Sequence, residues 1–128
     1  MRKMYRVGIC LVVSVMAMAL VPGQATNAQG AWNYRRAITI DHNQVSGTGD
    51  LVDFPVLISL SLGTGETWLR DVAHGGHVAR PDGGDIVFTD VAYTQLDHEI
   101  EAYDGVAGTL QAWVRVPALS GSTDTQIY

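Results

Sequence analysis

The sequence predicts an all-β fold, an antiparallel β-sandwich of jelly-roll type, behind a cleavable leader. Three observations carry that prediction. Apolar and polar residues alternate with period two over several short segments. Most of the 14 glycines fall between those segments, where turns belong. No stretch after the leader repeats its apolar residues with helical period over enough length for a long helix.

The leader comes first. Residues 1–6 are short and basic, and residues 7–21 are apolar, with only Gly8 and Ser14 interrupting. Pro22 and Gly23 break the run, and small residues follow at Ala25, Thr26 and Ala28. This is the order of a secretion signal, so residues 1–28 are expected to be removed by cleavage after Ala28 or Ala25. The apolar run is shorter than the roughly 20 residues of a spanning helix, so no membrane insertion is expected after cleavage. The product is expected in the periplasm, on the cell surface or outside the cell. Residues 29–128 form the single predicted domain.

Along that domain, Trp32 to Ile40 alternates and reads as a half-buried strand. Residues 41–50 are polar with two glycines, a loop. Phe54, Val56, Ile58 and Leu60 point one way in the next strand, and Pro55 marks a strand start or a sheet edge. Residues 66–73 suit one short helix, capped by Thr64, with Trp68, Leu69 and Val72 inward. Residues 74–84 form a glycine-rich loop and 85–89 a short strand. Gln95 to Tyr103 is the clearest strand, with Leu96, His98, Ile100 and Ala102 on its apolar side. Leu110 to Pro117 should pair with it. The expected register sets Tyr103 opposite Gln111, Ile100 opposite Val114, Glu101 beside Trp113 and Glu99 beside Arg115. A last strand begins at Thr125 and stops at Tyr128, which suggests a fragment of a longer chain.

Charge narrows the partners. Three of the eight basic residues lie in the leader and all 13 acids follow it. Five arginines then face 13 acids, a net charge of −8, which repels phosphate backbones and argues against nucleic acid. The one cysteine, Cys10, lies in the leader, so the domain must hold by packing alone.

Four stretches stand together: Trp32-Asn33-Tyr34-Arg35-Arg36; Asp53-Phe54-Pro55-Val56-Leu57-Ile58; Asp85-Ile86-Val87-Phe88-Thr89-Asp90; and Leu96-Asp97-His98-Glu99-Ile100-Glu101 running on to Ala112-Trp113-Val114-Arg115-Val116-Pro117. In this order they resemble an exported bacterial and archaeal family catalogued as a domain of unknown function, DUF 2341. The resemblance covers Trp32 to Tyr128. It implies a β-sandwich module near the N-terminus of a larger surface or envelope protein. Such modules are often followed by a concanavalin A-like, laminin G-like domain, or occur in proton-channel proteins of biopolymer transport. The family has no established catalytic residues to carry over.

The candidate chemistry is sparse. Glu99 and Glu101 lie two apart on one strand face, roughly 6–7 Å at Cβ, within range of paired glycosidase acids. The plainer reading pairs Glu99 with Arg115 and rests Glu101 beside Trp113 on a solvated face. His74 and His77 are a loose metal pair that His42 or Asp82 could join, against a plain surface loop. Asp82 and Asp85 flank two glycines and offer oxygens to calcium, against a tight turn. Among the aromatics Trp32, Tyr34, Trp68, Tyr93, Tyr103 and Trp113, the pair Trp113 and Tyr103 is expected to share the hairpin's polar face with Glu99, Glu101 and Arg115. His98, on the apolar side, reads as a hydrogen-bonded core histidine. No cofactor other than calcium is suggested. The expected function is a non-catalytic exported module that binds a glycan or a neighbouring domain of the same chain. The alternatives are a structural adaptor in an envelope transport protein and, behind it, a glycoside hydrolase fragment.

Overall fold

A computed structural model describes residues 32–47 and 49–128. The leader at 1–28 and its cleavage site lie outside them. Among the described residues the protein is mostly β, built from five antiparallel strands: β1 (Ile38–Ile40), β2 (Leu51–Ser61), β3 (His98–Asp104), β4 (Thr109–Leu119) and β5 (Thr125–Ile127). They form a three-stranded sheet in the order β2-β4-β3 and a two-stranded sheet of β1 and β5. No helix among the described residues is long and apolar enough to cross a membrane.

Alternation decides the two long strands. Val56, Ile58 and Leu60 of β2 and Leu110, Ala112, Val114 and Val116 of β4 are buried, while their neighbours face outward. Each inward β2 residue sits opposite an inward β4 residue: Val56 at Val114, Ile58 at Ala112, Leu60 at Leu110. Pro55 lies on β2, an edge strand, where a missing N–H need not break a ladder. Ile38, Ile40 and Ile127 of the second sheet join the same hydrophobic cluster, as do Leu69, Val78, Phe88 and Leu96 from the loops.

The β3–β4 register differs from the sequence expectation. Ile100 lies opposite Ala112 and Glu99 opposite Trp113, two positions from the expected partners. A β-bulge between Ile100 and Ala102 then shifts the ladder, so that Ala102 meets Gln111 and Tyr103 meets Leu110. The extra residue is Glu101. The bulge exchanges the faces beyond it, and Tyr103 turns toward the core instead of sharing the polar face with Trp113. Its hydroxyl donates to the Leu69 carbonyl at 2.9 Å. The hairpin turn fixes this arrangement: Gly108 N–H donates to the Asp104 carbonyl, and the Asp104 side chain accepts from Val106 and Ala107.

Three other expectations change. The first strand shortens to Ile38–Ile40. The expected strand at 85–89 is extended chain held by single bonds, with Phe88 accepting from Leu96 and Thr89 exchanging both backbone bonds with Tyr128. The expected helix at 66–73 is a run of turns ending in one 3-10 turn at Val72–His74. Two helical turns are too few to be stable alone, and tertiary bonds claim the backbone. Asp71 N–H donates to Gly105, and Val72 N–H and Val78 C=O join the two ends of the loop. Leu69 is buried as expected, but Val72 is exposed.

Candidate functional site: an aromatic cleft and an open sheet face

The predicted ligand residues divide between two places. Trp113, Glu99, Glu101 and Arg115 share the outer face of the three-stranded sheet. Trp113 Nε1 donates to Glu101 Oε2 at 3.2 Å, as the sequence suggests. Arg115 pairs with Asp53 at 3.1 Å and Asp97 at 3.4 Å, in place of the expected Glu99. Asp53 reaches it from a left-handed backbone (φ 52°), which Asp tolerates better than most residues. On this face Glu99, Glu101 and Arg115 are exposed, and Trp113 is half-buried opposite Leu57. Tyr103 is absent from it.

The glycine-rich loop uses its own charges. Asp82 forks with Arg80 at 2.8 and 3.0 Å and accepts Gly84 N–H, which holds its carboxyl well below the usual range, the Arg80 hydrogen bonds first. Asp85 accepts the N–H groups of Ala79 and Arg80. These contacts close the loop on itself. His74 Nδ1 lies 2.6 Å from buried Asp71, whereas His77 stacks on Tyr34 at 3.7 Å, so the two imidazoles serve different neighbours. Among the described residues, the metal-ligand types that converge are Asp41, His42 and Asp124, with one ligand atom of each within 4.8 Å of the others. Their contacts already close the group. His42 Nδ1 lies 2.6 Å from Asp124, and Asp41 accepts both the backbone and side-chain N–H of Asn43. The His42 bonds hold the Asp124 carboxyl below its ordinary range. The cluster ties the turn after β1 to the turn before β5. His98 matches its expectation in part: half-buried, its Nδ1 is 2.9 Å from the Leu96 carbonyl and its ring meets Phe88 edge-on.

A concavity brings together residues that the sequence scattered. A cleft of about 680 Å³ is lined by Tyr34, Arg35, Arg36, Trp68, Tyr93 and Tyr128, with core residues at its floor. Its volume is in the range of small-ligand sites. The side chains come in stacked sets. Tyr34 lies parallel to His77. Arg36 sits 4.2 Å over Trp68 and pairs with Glu66 at 3.0 Å. The Glu66 carboxyl is held below its usual value, chiefly by the Gly63 N–H, with Trp68 and Arg36 contributing. Trp68 Nε1 is buried and lies near that carboxylate without a hydrogen bond of good geometry. Arg35 rests 3.3 Å from the Tyr128 ring and 3.9 Å from the Tyr93 ring. Tyr93 holds its ring there from a left-handed backbone (φ 69°), a conformation costing a bulky residue about 1–2 kcal/mol. The turn closed by Tyr93 N–H on the Asp90 carbonyl, and by Asp90 N–H on the Thr94 carbonyl, stabilises it.

Sequence reading named Trp32, Tyr34, Trp68 and Tyr93 as aromatics of interest but had no means of bringing them together with Arg35 and Tyr128. The local signal was the pair Tyr34-Arg35, an aromatic beside an arginine at the start of the domain. The chain matches no family model, no curated protein and no solved structure.

Proposed function

We propose that this domain is a non-catalytic, exported binding module, a jelly-roll-like β-sandwich belonging to a larger surface or envelope protein, and that its ligand is carbohydrate held in the aromatic cleft. The observation that carries the reading is the cleft itself. Several aromatic rings and two arginine stacks line one small-ligand-sized concavity. Aromatic faces pack against the C–H faces of sugar rings, while polar edges orient the hydroxyls. Two antiparallel sheets contributing to one core support the sandwich. The resemblance of Trp32 to Tyr128 to an exported family supports the location.

The test is calorimetric titration of the exported full chain with neutral oligosaccharides, alongside Tyr34→Ala and Trp113→Ala. Tyr34 is 64% exposed, so its removal spares the core. Saturable binding lost in Tyr34→Ala and kept in Trp113→Ala is the expected result. The opposite pattern moves the site to the sheet face.

A second reading has its own observation. The outer face of the β2-β4-β3 sheet presents half-buried Trp113 ringed by Glu101, Arg115 and its two aspartates. A rigid aromatic with a charged rim suits docking of a neighbouring domain, as in an adaptor of an envelope transport protein. Binding only to a neighbouring domain, abolished by Trp113→Ala, favours this reading. The hydrolase alternative would need activity lost in Glu99→Gln.

A further inference from the structure

We infer that the cleft selects carboxylate-bearing sugars, and that Arg35 is the residue that reads the carboxylate. The inference rests on the cleft being the carbohydrate site.

It starts from an arginine without an acid. Arg36 pairs with Glu66, Arg80 with Asp82, and Arg115 with Asp53 and Asp97. Arg35 and Arg70 make no ion pair with any described residue, although acids outnumber arginines 13 to five after the leader, and of these two it is Arg35 that lines the cleft. Asp85 lines the same cleft, yet its two oxygens are turned to the N–H groups of Ala79 and Arg80. An acidic domain that leaves one cleft arginine unpaired holds it for something else.

The geometry says what. Aromatic contacts engage the flat of a guanidinium and leave its in-plane N–H edge for hydrogen bonds. Tyr93 and Tyr128 make those contacts to Arg35, so the side chain is positioned before any ligand arrives. A preoriented N–H fork matches the two oxygens of a carboxylate. Tyr93 does this from an unfavourable backbone, which is where strain kept for a binding site would be found. The neighbouring Tyr34–His77 stack and the Trp68 ring supply the apolar faces that a pyranose needs. A uronic acid carries such a carboxylate on its ring. The domain's net negative charge opposes acidic ligands at long range. At physiological salt that field is screened beyond about 8 Å, and the Arg35 contact is shorter.

The experiment titrates the exported full chain with tetragalacturonate and with its fully methyl-esterified form, which keeps the sugar skeleton and removes the charge. The acid should bind at least tenfold tighter than the ester. Arg35→Gln should erase the preference, so that acid and ester bind alike. Arg35→Lys, which keeps the charge and loses the fork, should keep only part of it. Thermal unfolding of both variants checks that they fold. Equal binding of acid and ester, or a preference that survives Arg35→Gln, overturns the inference and leaves the neutral-glycan reading standing. Silence toward both forms, together with silence toward the neutral panel, overturns both. Binding of a carboxylated peptide in preference to the uronate overturns the sugar assignment.

Discussion

Replacing Tyr103 by Phe removes one oxygen and tests the bulged register directly. In the structure that hydroxyl donates to the Leu69 carbonyl at 2.9 Å, tying β3 to the turn that holds Trp68. Losing a hydrogen bond of this kind costs about 1 kcal/mol, and an acceptor left short of water adds up to about as much again. The expected loss is therefore about 1–2 kcal/mol. For a domain near a hundred residues, each kcal/mol moves the thermal midpoint by about 4–8 °C, so the drop should be about 5–15 °C. Differential scanning calorimetry of Tyr103→Phe beside the parent chain measures it. A simple hairpin with Tyr103 on the solvent face predicts a change within about 0.5 kcal/mol, as for most surface substitutions. An unchanged midpoint would refute the inward placement of Tyr103 and the bulge at Glu101 with it. Titration of the phenol gives an independent check. Burial, and then the charges of Asp71, Asp85 and Asp104, push its pKa up to about 12. The neutral form is thus favoured by folding. That stability is complete below the unfolded value of about 10 and is lost as pH rises from there toward 12.

Three further predictions follow from the packing and charges. Ile58→Ala empties a fully buried site opposite Ala112 and should cost about 2–5 kcal/mol by urea denaturation, whereas Val52→Ala, at a position 76% exposed, should change little; similar costs would contradict the core assignment. Gly76→Ala would place a Cβ 1.9 Å from the Arg70 carbonyl oxygen, so the 71–78 loop must open, at about 1–3 kcal/mol; hydrogen exchange at Val72 and Val78 should accelerate, and unaltered protection would contradict the tight loop. Asp104 is held below its ordinary pKa by the N–H groups of Ala107 and then Val106, so its contribution is present above about pH 4 and lost as pH falls through the folded value. Asp104→Asn should flatten the acid limb of a denaturation series from pH 6 to pH 2, and an unchanged limb would count against that turn.

What the sequence made legible was local. β2 and β4 are plain in the alternation of Val56, Ile58 and Leu60 and of Leu110, Ala112 and Val114, because a strand buried on one face must repeat every second residue. The register between β3 and β4 was not. Moving the ladder by two residues leaves Ile100 on the apolar side in either case, so hydrophobic pattern cannot choose. The choice lies in the Asp104 turn, and the bulge at Glu101 then re-aims Tyr103. The helix expected at 66–73 failed for the converse reason: its periodicity was real, but bonds from Gly105 and Val78 outweighed two turns of propensity. Of the site, the Trp113–Glu101 contact matches its expectation, although Glu99 and not Glu101 stands opposite Trp113 in the ladder. The cleft could not be read from the sequence, since Arg35, Trp68, Tyr93 and Tyr128 meet only through the closed fold.

The pairing of β1 with β5 has a kinetic side. Ile38 finds its partner at Ile127, 89 positions further along, while β3 and β4 meet across a single short turn. Loop closure over such a span must be met before its contacts return anything, so the hairpin is the natural nucleus and the two-stranded sheet the last to form. A chain emerging N-terminus first from a ribosome holds Ile38 and Ile40 without their partners until Thr125 and Ile127 have followed. The two-stranded sheet is therefore the last part of the domain to close, and until then the apolar side of β1 waits uncovered.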